Sequence, residues 1–233
     1  MILSTFERKE IKYIITAEQH SELLKALEGR MRPDEHGVTR ICNIYFDTPD
    51  FRLIRESIEK PMYKEKLRLR TYGVPTEDST AFIELKKKFD RIVYKRRETM
   101  RYEDALRFLI NREKPERMTQ ILREIDWVLD FYPGLAPAMD IFYDRQAYFG
   151  VEDPSLRMTF DTNIAYRADD FDLMNGSSGE TLMDESQYIL ELKITAAMPL
   201  WLSAIMDRLK IYPGSYTKYG NSYKKMLLSG GIL

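Results

Sequence analysis

The run YKEKLRLRTYG, Tyr63–Gly73, sorts its side chains into two chemistries. Leu67, Leu69 and Thr71 alternate with Lys66, Arg68, Arg70 and Tyr72, so in a β-strand each set lies on its own face. An apolar face seeks a core. A face that is so uniformly cationic must meet water or an anion. The same division recurs along the chain. Arg8, Glu10 and Lys12 alternate with Ile11, Tyr13 and Ile15. Glu84, Lys86 and Lys88 alternate with Ile83, Leu85 and Phe89. Arg157, Thr159 and Asp161 oppose Leu156, Met158 and Phe160, and Glu191 and Lys193 oppose Leu190, Leu192 and Ile194. Arg145 shares a face with Ile141 and Tyr143, whereas the run around Lys95 and Arg97 is polar on both sides.

Eight strand-like stretches are expected, at roughly 4–15, 40–47, 64–72, 80–89, 92–100, 138–149, 156–163 and 187–195. Helical patterns fall between them at 16–29, 50–59, 102–111, 116–131, 197–210 and 217–229. Thr16 is placed as an N-cap and Gly29 as a stop. Asp47 reads as a turn or helix cap rather than a ligand. The Gly- and Ser-containing run RADDFDLMNGSSGETLMDES reads as a mobile loop. Strands interrupted by helices and joined by short links imply an α+β fold with a mainly antiparallel sheet. Eight strands also suffice to close a barrel. With the helices covering the apolar faces, the charged faces either look into water from an open sheet or line the inside of a polar barrel. No repeat divides the 233 residues, and one domain over 1–233 is the expectation.

In the barrel reading, the inward cations are Arg8, Lys12, Lys66, Arg68, Arg70, Lys86, Lys88, Lys95, Arg97, Arg145, Arg157 and Lys193. The inward anions are Glu10, Glu84, Asp161 and Glu191. At ~4 Å and an effective dielectric near 20, each like-charge pair costs on the order of 4 kcal/mol. Such a lining calls for an anionic ligand. Phosphate chains fit, because guanidinium forks bind oxygens in pairs and ammonium groups act as point charges. The few carboxylates would hold Mg2+ or Mn2+ through oxygen, and the metal would bridge to phosphate.

The whole-chain charge of −1 argues against a general nucleic-acid binder. Cys42 stands alone and reads as a core residue, so no intrachain disulfide forms and a reducing, cytoplasmic compartment is expected. With only His20 and His36 available, a histidine-based zinc site or triad has little support. The N-terminus has charges by residue 7 and no apolar core of a signal peptide, and no apolar run approaches a membrane span.

The segments FERKEIKY, YFDTPDF, KLRLRTYG, FIELKKK, YDRQAY, LRMTFDTNI, ILELKIT and YTKYGNSY occur in an order that resembles the VTC domain. That is the polyphosphate polymerase domain of the vacuolar transporter chaperone complex, a branch of the triphosphate tunnel metalloenzymes together with the CYTH domains. The resemblance spans about residues 4–228 and suggests a stand-alone bacterial member. It implies an eight-stranded antiparallel tunnel with helices outside. The implied activity is metal-dependent transfer of the γ-phosphate of ATP to a growing polyphosphate chain, with release of ADP.

The cations that match the family's tunnel lining are Lys12, Arg68, Arg70, Lys86, Lys95, Arg145, Arg157, Lys193 and Lys218, and the metal-ligand match is Glu191; Arg8 and Lys66 join them from the strand alternation, and the following roles are read onto the set. Arg68, Arg70, Lys86 and Arg157 would hold the triphosphate. Arg8, Lys12, Lys66, Lys95, Arg145, Lys193 and Lys218 would contact substrate or guide polymer. Glu191, with Glu10 as a second ligand, would hold the metal. CYTH triphosphatases begin Glu-x-Glu-x-Lys, but here the spacing reads Arg8-x-Glu10-x-Lys12, which looks like the VTC branch and weakens a two-metal hydrolase. No phosphate-sensing domain or membrane helix is expected in this chain. Three functions stay open on the residues: the polymerase, a hydrolase of triphosphate or polyphosphate, and a non-catalytic binder of polyphosphate or nucleotide. Partners would be ATP or another nucleoside triphosphate, and polyphosphate, triphosphate or pyrophosphate.

Overall fold

The computed structural model describes residues 9–90, 92–195 and 197–230. In chain order its elements are β1 (Lys9–Thr16), α1 (Ala17–Leu27), β2 (Met31–Asp47), α2 (Arg52–Glu59), β3 (Tyr63–Tyr72), β4 (Thr80–Phe89) and β5 (Ile92–Arg101). Then follow α3 (Tyr102–Leu109), α4 (Gln120–Phe131), β6 (Ala136–Gly150), β7 (Arg157–Arg167), β8 (Glu180–Thr181), β9 (Gln187–Ile194), α5 (Leu200–Arg208) and α6 (Lys218–Leu228). The fold is α+β, and its registered strand pairs are antiparallel. Hydrogen bonding runs in the order β1-β9-β7-β6-β2-β3-β4-β5, with β8 beside β7.

The expected eight-stranded barrel needs correction. The sheet has nine strands, and among the described residues no pairing joins its terminal strands β1 and β5. Alternation tells which face a side chain occupies; it does not say whether the last strand finds the first. β2 is also much longer than expected, because its first half, MRPDEHGVTR, carries no periodic apolar signal. The supposed mobile loop is tied down. It holds a 3-10 turn at Leu173–Asn175, with Leu173 in the core, and the backbone N–H of Leu173 donates to the Tyr102 hydroxyl at 2.9 Å.

Two compact groups of residues make up the chain, each with its own core. The first falls within 1–39, 143–164 and 183–216. Its core packs Tyr13, Ile15, Leu23, Leu27, Met158, Phe160, Leu190, Leu192, Leu202 and Met206. These are the apolar faces of β1, β7 and β9, covered by α1 and α5. Thr16 caps α1 in a reciprocal capping box with Gln19.

The second group falls within 40–142, 165–182 and 217–233. Its core contains Cys42, Ile44, Phe46, Leu67, Leu69, Ile83 and Leu85 against Tyr102, Phe108, Ile125 and Val128. Thus α3 and α4 cover the apolar faces of β2 to β5, and Cys42 is the buried core residue expected. Asp47 is the cap expected. Its carboxylate accepts from the backbone N–H groups of Thr48, Leu53 and Ile54 at 2.8–3.0 Å, and from the Tyr219 hydroxyl at 2.7 Å. Those bonds stitch the start of α2 to α6. No helix among the described residues is long and apolar enough to cross a membrane.

Candidate phosphate-binding site

Strand register builds the charged face of the second group in rows. Directly opposed residues share a face, so one row reads Tyr45, Arg68, Glu84, Arg97 across β2, β3, β4 and β5. The next row holds Lys66, Lys86 and Lys95, and the row on the other side holds Asn43, Arg70, Phe82 and Thr99. The helix-covered leucines lie between these rows on the opposite face. The sequence alternation therefore becomes a two-dimensional lattice of cations.

Glu84 is the anchor of that lattice and is only 1% exposed. One carboxylate oxygen accepts from Arg68 Nε at 2.7 Å and lies 2.5 Å from Arg68 Nη2. The other accepts from Arg97 Nε at 2.7 Å and lies 2.6 Å from Lys95 Nζ. Arg70 Nη1 stands 4.0 Å away and donates through Nε to Asn43 Oδ1 at 2.8 Å. Asn43 is held in turn by the Ile141 carbonyl at 2.9 Å. Burial alone would raise the Glu84 pKa, but Arg68, Arg70 and Lys95 outweigh it and hold the carboxyl well below its usual range. One carboxylate thus orders four cations and neutralises one of them.

Two neighbours respond to the surplus. Desolvation lowers the Lys95 pKa to about 8; Glu84 opposes that shift, while Arg97 and Arg68 add to it. Tyr45 is buried, which would raise its pKa, yet Arg68, Arg70 and Lys66 bring it down to about 8. Its hydroxyl oxygen accepts from Arg68 Nη1 at 3.0 Å, and its ring stacks on Tyr219 at 4.6 Å. Lys66 Nζ donates to Thr217 Oγ1 at 3.3 Å, the hydroxyl that caps α6. Lys218 is the first residue of α6, next in sequence to the Thr217 that Lys66 reaches, at the positive end of that helix.

The first group carries a smaller lattice. Lys12, Glu191 and Thr159 form one row across β1, β9 and β7, and Glu10, Lys193 and Arg157 form the next. Glu191 lies 3.1 Å from Lys193 Nζ and 3.9 Å from Lys12 Nζ, and Lys193 Nζ is 3.8 Å from Glu10. Lys12 also donates to the Tyr216 carbonyl at 3.2 Å. Burial would raise the Glu191 pKa, but Lys193, Lys12 and Arg145 lower it to about 2. Arg145 spends its fork on the buried Asp161, at 2.6 and 2.7 Å. Arg157 is exposed and lies over the Phe149 ring at 4.4 Å.

Of the sequence candidates, Lys66, Arg68, Arg70, Lys86, Lys95 and Lys218 therefore belong to the second group. Glu10, Lys12, Arg145, Arg157, Glu191 and Lys193 belong to the first. Arg8 lies outside the described residues. Glu84 and Arg97 lie on the charged face as expected, but Glu84, counted with the carboxylates that would hold a metal, is instead bonded to Arg68, Arg97 and Lys95. The sequence reading missed Tyr45 and Asn43, although a signal existed: Asn43, Tyr45 and Asp47 alternate with Cys42, Ile44 and Phe46.

For a metal, the described residues contain no cluster of three or more His, Cys, Asp or Glu side chains. The donors at Glu191 still suit a hard cation that takes its remaining ligands from phosphate. Glu191 is ionised at neutral pH, Glu10 lies one row away, and the buried Thr159 hydroxyl in the Glu191 row has no hydrogen-bond partner. Mg2+ is commonly bound by one or two carboxylates plus substrate phosphate oxygens.

No curated protein matches the sequence. Among solved structures, a Bacillus halodurans protein described by name with the adenylate cyclases has a TM-score of 0.57 at 16% identity, covering 90% of this chain and 95% of its own. An adenylyl cyclase candidate from Hippeastrum, described as having a dominant triphosphatase activity, has a TM-score of 0.56 at 18% identity, covering 97% and 98%. At these identities the likeness concerns the fold. The VTC domain family matches residues 7–227, nearly the whole sequence, and the chain belongs to that family.

Proposed function

We propose that the protein is a metal-dependent polyphosphate polymerase. In this reading a terminal phosphate oxygen of polyphosphate attacks the γ-phosphorus of ATP. The new P–O bond forms as the β–γ bridging bond breaks, and ADP leaves. The observation that carries the reading is the surplus of positive charge ordered on the buried Glu84. Phosphoryl transfer of this kind needs positioning and neutralisation of developing charge more than a covalent nucleophile. The acceptor oxygen is already ionised, so no strong general base is required. Membership of the VTC domain family supports the same reaction class.

Arg68, Arg70 and Lys86 bind phosphate oxygens in the second group, and Arg157 does so in the first. Arg68 reaches phosphate already fixed by Glu84 and Tyr45, so little side-chain entropy is lost on binding. Lys12, Lys66, Lys95, Arg145, Lys193 and Lys218 supply further positive charge along the chain. Glu191, with Glu10, would hold Mn2+ or Mg2+, which supplies charge neutralisation on phosphate when bound.

A hydrolase is the second reading. Its support is the fold shared with the Hippeastrum protein, together with Lys95, whose pKa is lowered to about 8, so that its neutral amine form is available to take a proton from water. Incubation with ATP and Mn2+ separates the readings. Polymer on a gel with one ADP per phosphate added supports the polymerase. Free phosphate without polymer supports the hydrolase, and binding without turnover supports a non-catalytic phosphate binder.

A further inference from the structure

On the helix-facing side of the second group, the sheet outruns its cover. The row of Leu67 and Leu85 lies under α4, but the last row does not. Tyr63, Phe89 and Ile92 stand directly opposite one another at the end of β3, β4 and β5, and Lys87 faces Tyr94 in the adjoining row. The Lys87 ammonium lies 5.7 Å over the Trp127 ring of α4, and Trp127 stacks on Phe131 at 4.7 Å. Phe131 meets Tyr132 edge-on at 4.9 Å, and the Tyr63 hydroxyl donates to Glu65. Tyr63, Phe89, Ile92, Tyr94, Trp127 and Phe131 are each between 41% and 54% exposed.

We propose that this face is the interface of a two-fold dimer, with a second copy of the chain as its occupant. Three features point to a copy. The first is area. A fully covered aromatic side chain buries roughly 150–250 Å2, so six half-exposed residues offer on the order of 600 Å2, close to the roughly 800 Å2 per partner of a standard interface. The second is shape. Beside the exposed Phe89 and Ile92 side chains, an open groove of about 300 Å3 lined by Lys87, Gln120, Arg123, Glu124 and Trp127 lies along α4. A two-fold axis would set Phe89 and Ile92 of each copy against the groove of the other, the self-complementarity an isologous contact requires. The third is charge. The rim mixes Lys87 and Arg123 with Glu124 and Asp90, which suits a rotated copy of itself better than an all-anionic lipid surface. The phosphate-binding residues Lys66, Arg68, Lys86 and Lys95 lie on the other face of the same strands, so the dimer leaves them uncovered.

The test is the mass of the full chain by light scattering between about 1 and 100 μM, roughly 10-fold either side of a midpoint near 10 μM. The expected result is twice the 27.6 kDa chain mass at the upper end. Phe89→Glu and Ile92→Glu should each shift the dimer-to-monomer midpoint upward by at least about 10-fold, since a buried unpaired charge costs well over the 1.4 kcal/mol of a tenfold change. Leu200→Glu, at an 88%-exposed leucine of the other group, should leave it unchanged. A second readout covers any variant that folds poorly. In a Trp201→Phe background, emission from Trp127 should shift to the blue as concentration rises. A monomer at every concentration with constant Trp127 emission would overturn the proposal. So would a monomer that sediments with anionic vesicles through Phe89 and Ile92.

Discussion

Glu84→Gln is the most informative single change. The substitution keeps the shape of the side chain and removes the one negative charge that four cations share. Arg68 and Arg70 are the least exposed of the four and cannot turn to water, whereas Lys95 and Arg97 are part-exposed and partly screened. Breaking a buried ion pair from one side typically costs about 3–5 kcal/mol. For a chain of this length that corresponds to a fall of roughly 6–20 °C in Tm. Glutamine also frees guanidinium hydrogens for phosphate, so tripolyphosphate should bind the variant at least as well as the wild type. At a hundred times its Kd, ligand adds about 2.7 kcal/mol of apparent stability, enough to recover most of the loss. The assay is thermal unfolding by fluorescence, with and without tripolyphosphate at neutral pH. A variant that melts within about 2 °C of the wild type, less than 1 kcal/mol, would refute the picture of Glu84 as the charge anchor.

Tripolyphosphate affinity should weaken as pH rises through about 8, because Lys95 loses its positive charge there and Tyr45 gains a negative one. Calorimetry from pH 7 to pH 9.5 should show the decline (about 10-fold or more for the loss of two charge contacts), and Tyr45→Phe should flatten it. The low folded pKa of Glu191, about 2 against 4.5, means its stabilising contribution is complete above pH 4.5 and is lost as pH falls through 2. Glu191→Gln should therefore flatten the acid limb of the Tm–pH profile, and an unchanged profile would contradict the pairing with Lys193 and Lys12. Asp47→Ala should cost about 2–4 kcal/mol in urea unfolding, because it strands buried N–H donors at the start of α2 and the Tyr219 hydroxyl. A loss below about 0.5 kcal/mol would sink that role.

Alternation alone makes the lattice legible in the sequence. Arg68, Arg70, Glu84 and Lys86 occupy the face that Leu67, Leu69, Ile83 and Leu85 do not, because a strand leaves no third choice. Register was legible only in part. The two residues between Phe89 and Ile92 leave little choice for β4 against β5, which sets Arg97 opposite Glu84, but nothing in β3 or β4 alone says that Arg68 also faces Glu84. Nor was the use of Arg145 visible. Its partner Asp161 is 16 residues away on another strand, and only pairing brings the two together. The first half of β2 was hidden because Pro33, Gly37 and a run of charges mimic a loop; its hydrogen bonds come from neighbouring strands rather than from local preference. Tyr45 was overlooked for a different reason. A tyrosine between Ile44 and Phe46 looks like core; its alternation with Asn43 and Asp47 puts it on the charged face, and its Arg68 contact shows what it does there.

The central claim is that the charged faces bind phosphate chains rather than water. Titration calorimetry of tripolyphosphate at pH 7 tests it most directly, using the wild type, Arg70→Ala and a control, Arg107→Ala, on the exposed side of α3. The account predicts tight binding that Arg70→Ala weakens by roughly 10- to 100-fold, as expected for one lost charge-assisted contact, and that Arg107→Ala leaves unchanged. Binding no tighter than that of sulfate, or equally affected by both substitutions, would contradict it.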